Sequence, residues 1–129
     1  MLINQNSIPS LDDILHNIPV FQPFAYYDKH LDCIRVQTHD CSITEKRINR
    51  IFTVLLPNHY EVDSEFVGFN IKGIRHLFNQ IGLQLEGVVT LTTVFEGIIK
   101  WFPEKTMLNV IRKLQTDCEQ LEIHFDEAA

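Results

Sequence analysis

The chain has 129 residues, 45% of them hydrophobic and 22% charged, with a formal net charge of −6, which fits one domain able to bury a core without disulfides or metal. That charge argues against a general nucleic-acid binder, which neutralises phosphates with clustered Lys and Arg, and no apolar run nears the ~20 residues needed to span a bilayer. The start of the chain lacks the basic region and long apolar run of a signal peptide, and three cysteines, an odd number, suggest reduced thiols and a cytoplasmic location.

Ser10, followed by Leu11, Asp12 and Asp13, opens a helix: its hydroxyl suits free amides and the carboxylates suit the positive helix end. Ile8, Leu11, Ile14 and Leu15 give that helix one apolar face, and Pro19 ends it. Residues 18–24 read as an extended connector whose Val20, Phe21 and Phe24 pack onto the body. Tyr27 to Asp32 reads as a turn closed by two aspartates, with Asp28 and Asp32 accepting bonds from backbone amides. From Leu31 to Thr38 the pattern alternates, with Ile34, Val36 and Thr38 on one face and Cys33, Arg35, Gln37 and His39 on the other. Asp40 to Ser42 makes a turn into a weaker alternation at Ile43 to Ile48. Ile51 to Leu56 is strongly β-prone, and Pro57-Asn58-His59 stops it. After an acidic loop with Glu61 and Asp63, Phe66 to Ile71 forms another strand, in which Gly68 marks a bulge or a close approach of backbone.

The period then changes. Ile74, Leu77, Phe78 and Ile81 recur at helical spacing, and Gly82 sits where a left-handed residue ends a helix. Leu91, Val94, Phe95, Ile98, Ile99 and Phe102 form a second helical stripe with Thr92 or Thr93 as its cap and Glu96 completing a capping box. A strand over Val88 to Val94 is the alternative. Met107, Val110, Ile111 and Leu114 make a third stripe, with Pro103 in its first turn. Leu121, Ile123 and Phe125 alternate as a short terminal strand, and Asp117, Glu119, Glu122, Asp126 and Glu127 make an acidic, solubilising tail.

These elements predict an α+β fold: an antiparallel β-meander of three or four strands with helices packed on one face. The whole of residues 1–129 is expected to form one domain, with the meander at about 24–72, a helical half at about 73–118 and a terminal strand at about 121–125.

Tyr27, Asp28 and Asp32, then Ile34 and Val36, the Thr44-Glu45 step, the Phe52 to Leu56 strand, and Val67-Gly68-Phe69 with Ile71 carry a resemblance. Residues 26–72 resemble a small prokaryotic β-meander domain family of unknown function. The family usually has an aromatic where Arg35 stands and an arginine where Gln37 stands, and residues after Gly73 fall outside its pattern. The resemblance implies a meander with no established catalytic residues and, by analogy with members found beside toxin-like partners, an antitoxin or partner-binding role.

No motif points to catalysis, metal or cofactor. Cys33, His39 and Cys41 lack the paired spacing of zinc ligands, and His59, His76, His124 or Cys118 could supply the rest only if the fold converged them. Cys33 and His39 would lie about 20 Å apart along one strand at ~3.3 Å per residue, too far for a nucleophile and its base. The nearest things to a ligand site are Arg35, His39 and His76, in a pocket between sheet and helices, and Lys72, Arg75 and His76, near a helix N-terminus that could hold an anion. Lys46, Arg47 and Arg50 read as a solvated strand and turn surface. A non-catalytic interaction module is therefore favoured over an enzyme or small-ligand domain, with no nucleic-acid or membrane partner. Ile98, Trp101 and Phe102, with Ile99, crowd several sides of one helix end and predict a homodimer interface, unless Val20, Phe21 and Phe24 fold back over them.

Overall fold

The computed structural model describes residues 10–17, 20–58, 65–118 and 120–125. Ile8, Pro19, His59, Glu61, Asp63, Glu119, Asp126 and Glu127, and the side chains of Leu15 and Asp117, lie outside the described part. The elements are α1 (Leu11–Asn17), β1 (Phe24–Asp28), β2 (Cys33–Gln37), β3 (Ile43–Arg47), β4 (Phe52–Pro57), β5 (Gly68–Lys72), α2 (Ile74–Ile81), β6 (Gly87–Thr90), α3 (Leu91–Trp101), α4 (Lys105–Cys118) and β7 (Glu122–Phe125).

The fold is α+β, with a five-stranded antiparallel sheet in the order β1-β2-β5-β4-β3 and a second sheet of β6 and β7. The large sheet is meander-like but exceeds the three or four strands expected from the sequence. Its β3, β4 and β5 are successive neighbours, and β2 closes against β5, not β3. Residues 38–42 therefore cross the ends of β5 and β4. They are fixed there by Thr38, whose amide and hydroxyl both donate to the Val67 carbonyl, and by the Asn58 amide donating to the Ser42 carbonyl.

Register sorts the side chains. The pairs Tyr27↔Ile34, Ile34↔Ile71 and Phe52↔Ile71 share the core face with the Ala25, Val36, Phe69 and Val54 row. Helices α2, α3 and α4 cover that face through Ile74, Leu77, Phe78, Leu91, Val94, Phe95, Ile98, Met107, Val110, Ile111 and Leu114. Each large side chain buried this way contributes about 1.5–3 kcal/mol, which makes this interface the principal stabilising element. The outward face carries Phe24 and Tyr26 of β1, Cys33, Arg35 and Gln37 of β2, and Asn70 and Lys72 of β5.

Gly68 is the close approach its position in a strand suggested: a Cβ there would lie 2.1 Å from the Val36 carbonyl oxygen. Gly82 ends α2 in a left-handed conformation, its amide bonded to the Phe78 carbonyl. Ser10 and Asp13 cap α1 reciprocally, although Leu11 and Ile14 of its apolar face are exposed. Two caps differ from expectation. Thr90, not Thr92 or Thr93, caps α3, because β6 runs into the helix without a loop and the first free amide in reach is that of Thr93. Glu104 caps α4 by accepting from the Thr106 and Met107 amides, so Pro103 precedes the helix and does not occupy its first turn.

Candidate functional site

The turn from β1 to β2 is built by its two aspartates. Asp28 Oδ1 accepts from the amides of His30 (2.9 Å) and Leu31 (3.1 Å), which folds the turn on itself. Asp32 is left-handed (φ 50°), a conformation aspartate tolerates better than most residues. Its carboxylate reaches the start of α2, where it accepts from the Arg75 amide at 3.1 and 3.3 Å, while its carbonyl takes the Ile74 amide at 3.2 Å. Gly73, the residue before α2, has no side chain to cap the helix, so an acceptor from the distant turn does so. The same carboxylate accepts the Tyr27 hydroxyl at 2.7 Å. Burial, reinforced by that bond and the charge of Asp32, pushes the Tyr27 phenol up to about 12.

The anion at the positive end of α2 is therefore the chain's own Asp32. Lys72, Arg75 and His76 do not gather there. The Arg75 guanidinium turns to the Lys29 carbonyl (3.3 Å), and together with Tyr27, Lys29, His30, His124 and Phe125 it bounds a cleft of about 510 Å³. Lys72 projects from the opposite, outward face of the sheet.

On that outward face β1 displays an aromatic ladder, with Phe21 edge-on to Phe24 (5.9 Å between ring centroids) and Phe24 against Tyr26 (5.8 Å). Tyr26 is 44% exposed, and Leu31, at the turn tip, 72%. Beside them Arg35 Nη1 lies 3.5 Å from Glu45 Oε1, an oxygen that also accepts from Asn70 Nδ2 at 3.3 Å. Asn70 Oδ1 is buried and has no partner. Tyr26, Leu31, Arg35, Glu45, Asn70 and Lys72 line a trough of about 290 Å³. It shares Tyr26 and Asp28 with the 510 Å³ cleft, so the two hollows flank the same edge strand. Burial, then the charge of Asp28, pushes up the Cys33 thiol at the trough wall, so it stays protonated and a poor nucleophile.

A third hollow, of about 680 Å³, lies between the β3–β4 turn, α2 and the α3–α4 connection. Its walls include Arg50, Ile51, His76, Phe102 and Met107. Glu104 also faces it. Hydrogen bonds from the Met107 and Thr106 amides hold that carboxyl below the usual glutamate range.

The three candidate ligand residues do not converge. Arg35 lines the outward trough and His76 the 680 Å³ cleft, while His39 sits in the β2–β3 crossing with Nδ1 2.7 Å from Thr38 Oγ1. Of the candidate interface residues, Ile98 is 0% exposed and belongs to the core, Phe102 is half-buried, and Trp101 is 52% exposed beside Ile99 at 49%. Phe21 and Phe24 do not cover this helix end, because their ladder with Tyr26 lies on the far face of the sheet. Val20 is exposed. Among the described residues no group of His, Cys, Asp and Glu is placed to hold a metal ion. Tyr26, Leu31 and Arg50 carry no motif. In the sequence Leu31 falls in a turn and Tyr26 precedes one, while Arg50 stands with Lys46 and Arg47 in a basic group that reads as solvated surface.

Among the described residues no helix is long and apolar enough to cross a membrane. No protein-family model matches the chain, and neither a curated protein nor a solved structure matches it at a significant level.

Proposed function

We propose that the chain is a non-catalytic interaction module that docks a protein partner on the outward face of β1 and β2. The observation carrying this reading is the grouping of exposed Tyr26 on the edge strand β1 and exposed Leu31 in the β1–β2 turn with Arg35 on β2, over a trough lined by Arg35, Glu45 and Lys72. Aromatic residues and arginine are the types that dominate binding energy at protein interfaces. The titratable groups nearby already serve the scaffold: Asp28 folds the turn, Asp32 holds Tyr27 and α2, and Cys33 remains a thiol. Among the described residues of this face that leaves no nucleophile paired with a base, which favours binding over catalysis. An antitoxin role rests on the resemblance of residues 26–72 alone. Affinity capture from the native host with the wild type, Leu31→Asp and Trp101→Glu as baits tests the docking face. A partner retained by Trp101→Glu and lost by Leu31→Asp supports it, and a partner indifferent to Leu31→Asp overturns it.

A second reading is self-association through the end of α3, favoured by the half-exposed Ile99 and Trp101. Light scattering during size-exclusion chromatography is the check. Twice the chain mass at micromolar concentration, reduced to about 15.1 kDa by Trp101→Glu, supports the dimer; 15.1 kDa throughout for the wild type removes it.

A further inference from the structure

The 680 Å³ cleft is the largest hollow described, and it stands apart from the proposed docking face. Its volume falls within the ~300–1,000 Å³ of small-molecule sites. Its walls are fixed from three sides. Asn49 Oδ1 accepts from the amides of Ile51 and Phe52, both at 2.9 Å, which freezes the β3–β4 turn. The Phe102 amide donates to the Ile98 carbonyl and the Glu104 amide to the Phe102 carbonyl, which tightens the exit from α3. Glu104 then clamps the start of α4 at 2.7 and 3.1 Å. A cleft held this way loses little freedom when it is filled.

The lining divides into two kinds of surface. Ile51, Phe102 and Pro103 supply accessible apolar wall, whereas Met107, at the same lining, is fully buried in the core. Of the polar lining groups, the Asn49 side chain is committed to its own turn and to Glu104, and Glu104 is committed to α4. The negative charge of Glu104 is thereby set against amide donors and the positive end of a helix. Arg50 and His76 are exposed at the rim, and no hydrogen bond or ion pair engages their side chains among the described residues. What remains uncommitted is a guanidinium, an imidazole and an apolar wall.

We infer that this cleft binds an anionic amphiphile of the medium-chain carboxylate class, with the carboxylate on Arg50 and His76 and the alkyl chain along Ile51, Phe102 and Pro103. Guanidinium pairs with carboxylate through two parallel hydrogen bonds, which gives the head group an orientation that an alcohol cannot match. The site uses none of Tyr26, Leu31 or Arg35, so it stands or falls independently of the docking face.

Titration calorimetry with decanoate and decyltrimethylammonium below their micelle concentrations, and with decanol below its solubility limit, tests the assignment. Decanoate is expected to bind one to one, at least tenfold more tightly than decanol, with decyltrimethylammonium weakest. Arg50→Glu and His76→Glu, both at exposed positions, should each weaken decanoate at least tenfold without changing the thermal unfolding midpoint. Lys46→Ser, at an exposed position of β3, should leave binding unchanged, because Lys46 does not line the cleft. Equal affinity for decanol, undiminished binding by Arg50→Glu, loss of binding by Lys46→Ser, or no heat from decanoate would each overturn the inference. So would light scattering that shows a dimer dissociated by Arg50→Glu, since a second copy would then occupy the cleft.

Discussion

Removing the Asp32 side chain should unfasten the β1–β2 turn from α2. That carboxylate accepts from the Tyr27 hydroxyl at 2.7 Å and from the Arg75 amide at 3.1 Å, and it is the acceptor a helix beginning after Gly73 otherwise lacks. Hydrogen bonds to a charged acceptor contribute about 1.5–3 kcal/mol each, and a helix cap about 1 kcal/mol. Because one part-exposed carboxylate serves both partners, the terms do not add, and a net loss of about 2–3 kcal/mol is expected for Asp32→Gly. Glycine suits φ 50° and so isolates the side chain. Asp32→Asn keeps an acceptor and tolerates the same backbone, so about 1 kcal/mol is expected. Asp32→Ala adds the cost of a left-handed residue with a Cβ, about 1–2 kcal/mol beyond glycine. The order of stability is then wild type, Asn, Gly, Ala, with Asp32→Gly lowering the midpoint by roughly 6–12 °C in a domain of this size. Thermal and urea denaturation followed by circular dichroism gives these values. A double-mutant cycle with Tyr27→Phe should show coupling of about 1 kcal/mol. Losses within 0.5 kcal/mol of wild type for Asp32→Gly, at about the ordinary effect of a surface substitution, would refute the reasoning.

At Gly68 a methyl group would meet backbone, 2.1 Å from the Val36 carbonyl oxygen, so Gly68→Ala should cost about 3 kcal/mol or more in urea denaturation. Gly97→Ala should cost less, because its nearest obstacle is the flexible end of Ile81 at 2.6 Å. Tyr27, with its phenol raised to about 12, contributes stability that is fully present below the ordinary tyrosine value near 10 and is lost as pH rises through about 12. Absorbance titration should therefore show one tyrosine ionising late, and Tyr27→Phe should remove both that step and the matching loss of stability. Glu104 is held below its ordinary value, so its contribution is present above the usual glutamate range and lost as pH falls through the lowered value. The stability difference between wild type and Glu104→Gln should shrink in acid, and a difference that does not depend on pH would contradict the capping role.

Periodicity made much of this fold legible before the coordinates. The alternation at Ile34 and Val36 and the helical spacing of Ile74, Leu77 and Phe78 each became the core face of an element. Gly68 and Gly82 signalled backbone needs that the structure displays. β1 was hidden because Phe24-Ala25-Tyr26-Tyr27 has no apolar and polar alternation: its small residue faces the core and a large aromatic faces outward. The neighbours of β2 were hidden as well, since pairing with β5 is a long-range choice that local pattern does not encode. Ile98 and Trp101 read alike as members of an apolar crowd at one helix end, yet only the packing of α3 decides that the first is core and the second surface. The clefts were the least legible of all, because Arg50 of the β3–β4 turn and His76 of α2 are distant in sequence and come to line one cleft only through the tertiary packing.

The claim that the outward face of β1 and β2 docks a partner is tested most directly by a photo-crosslinking residue placed at position 31 in the native host, with the same residue at position 101 as the comparison. Leu31 is 72% exposed at the turn end of the proposed face and Trp101 lies on α3, which covers the opposite face of the sheet. The account expects a discrete adduct with another protein from position 31 that is absent from position 101 and is abolished by Arg35→Ala. An adduct with that protein from position 101 alone, or no adduct from position 31, would contradict it.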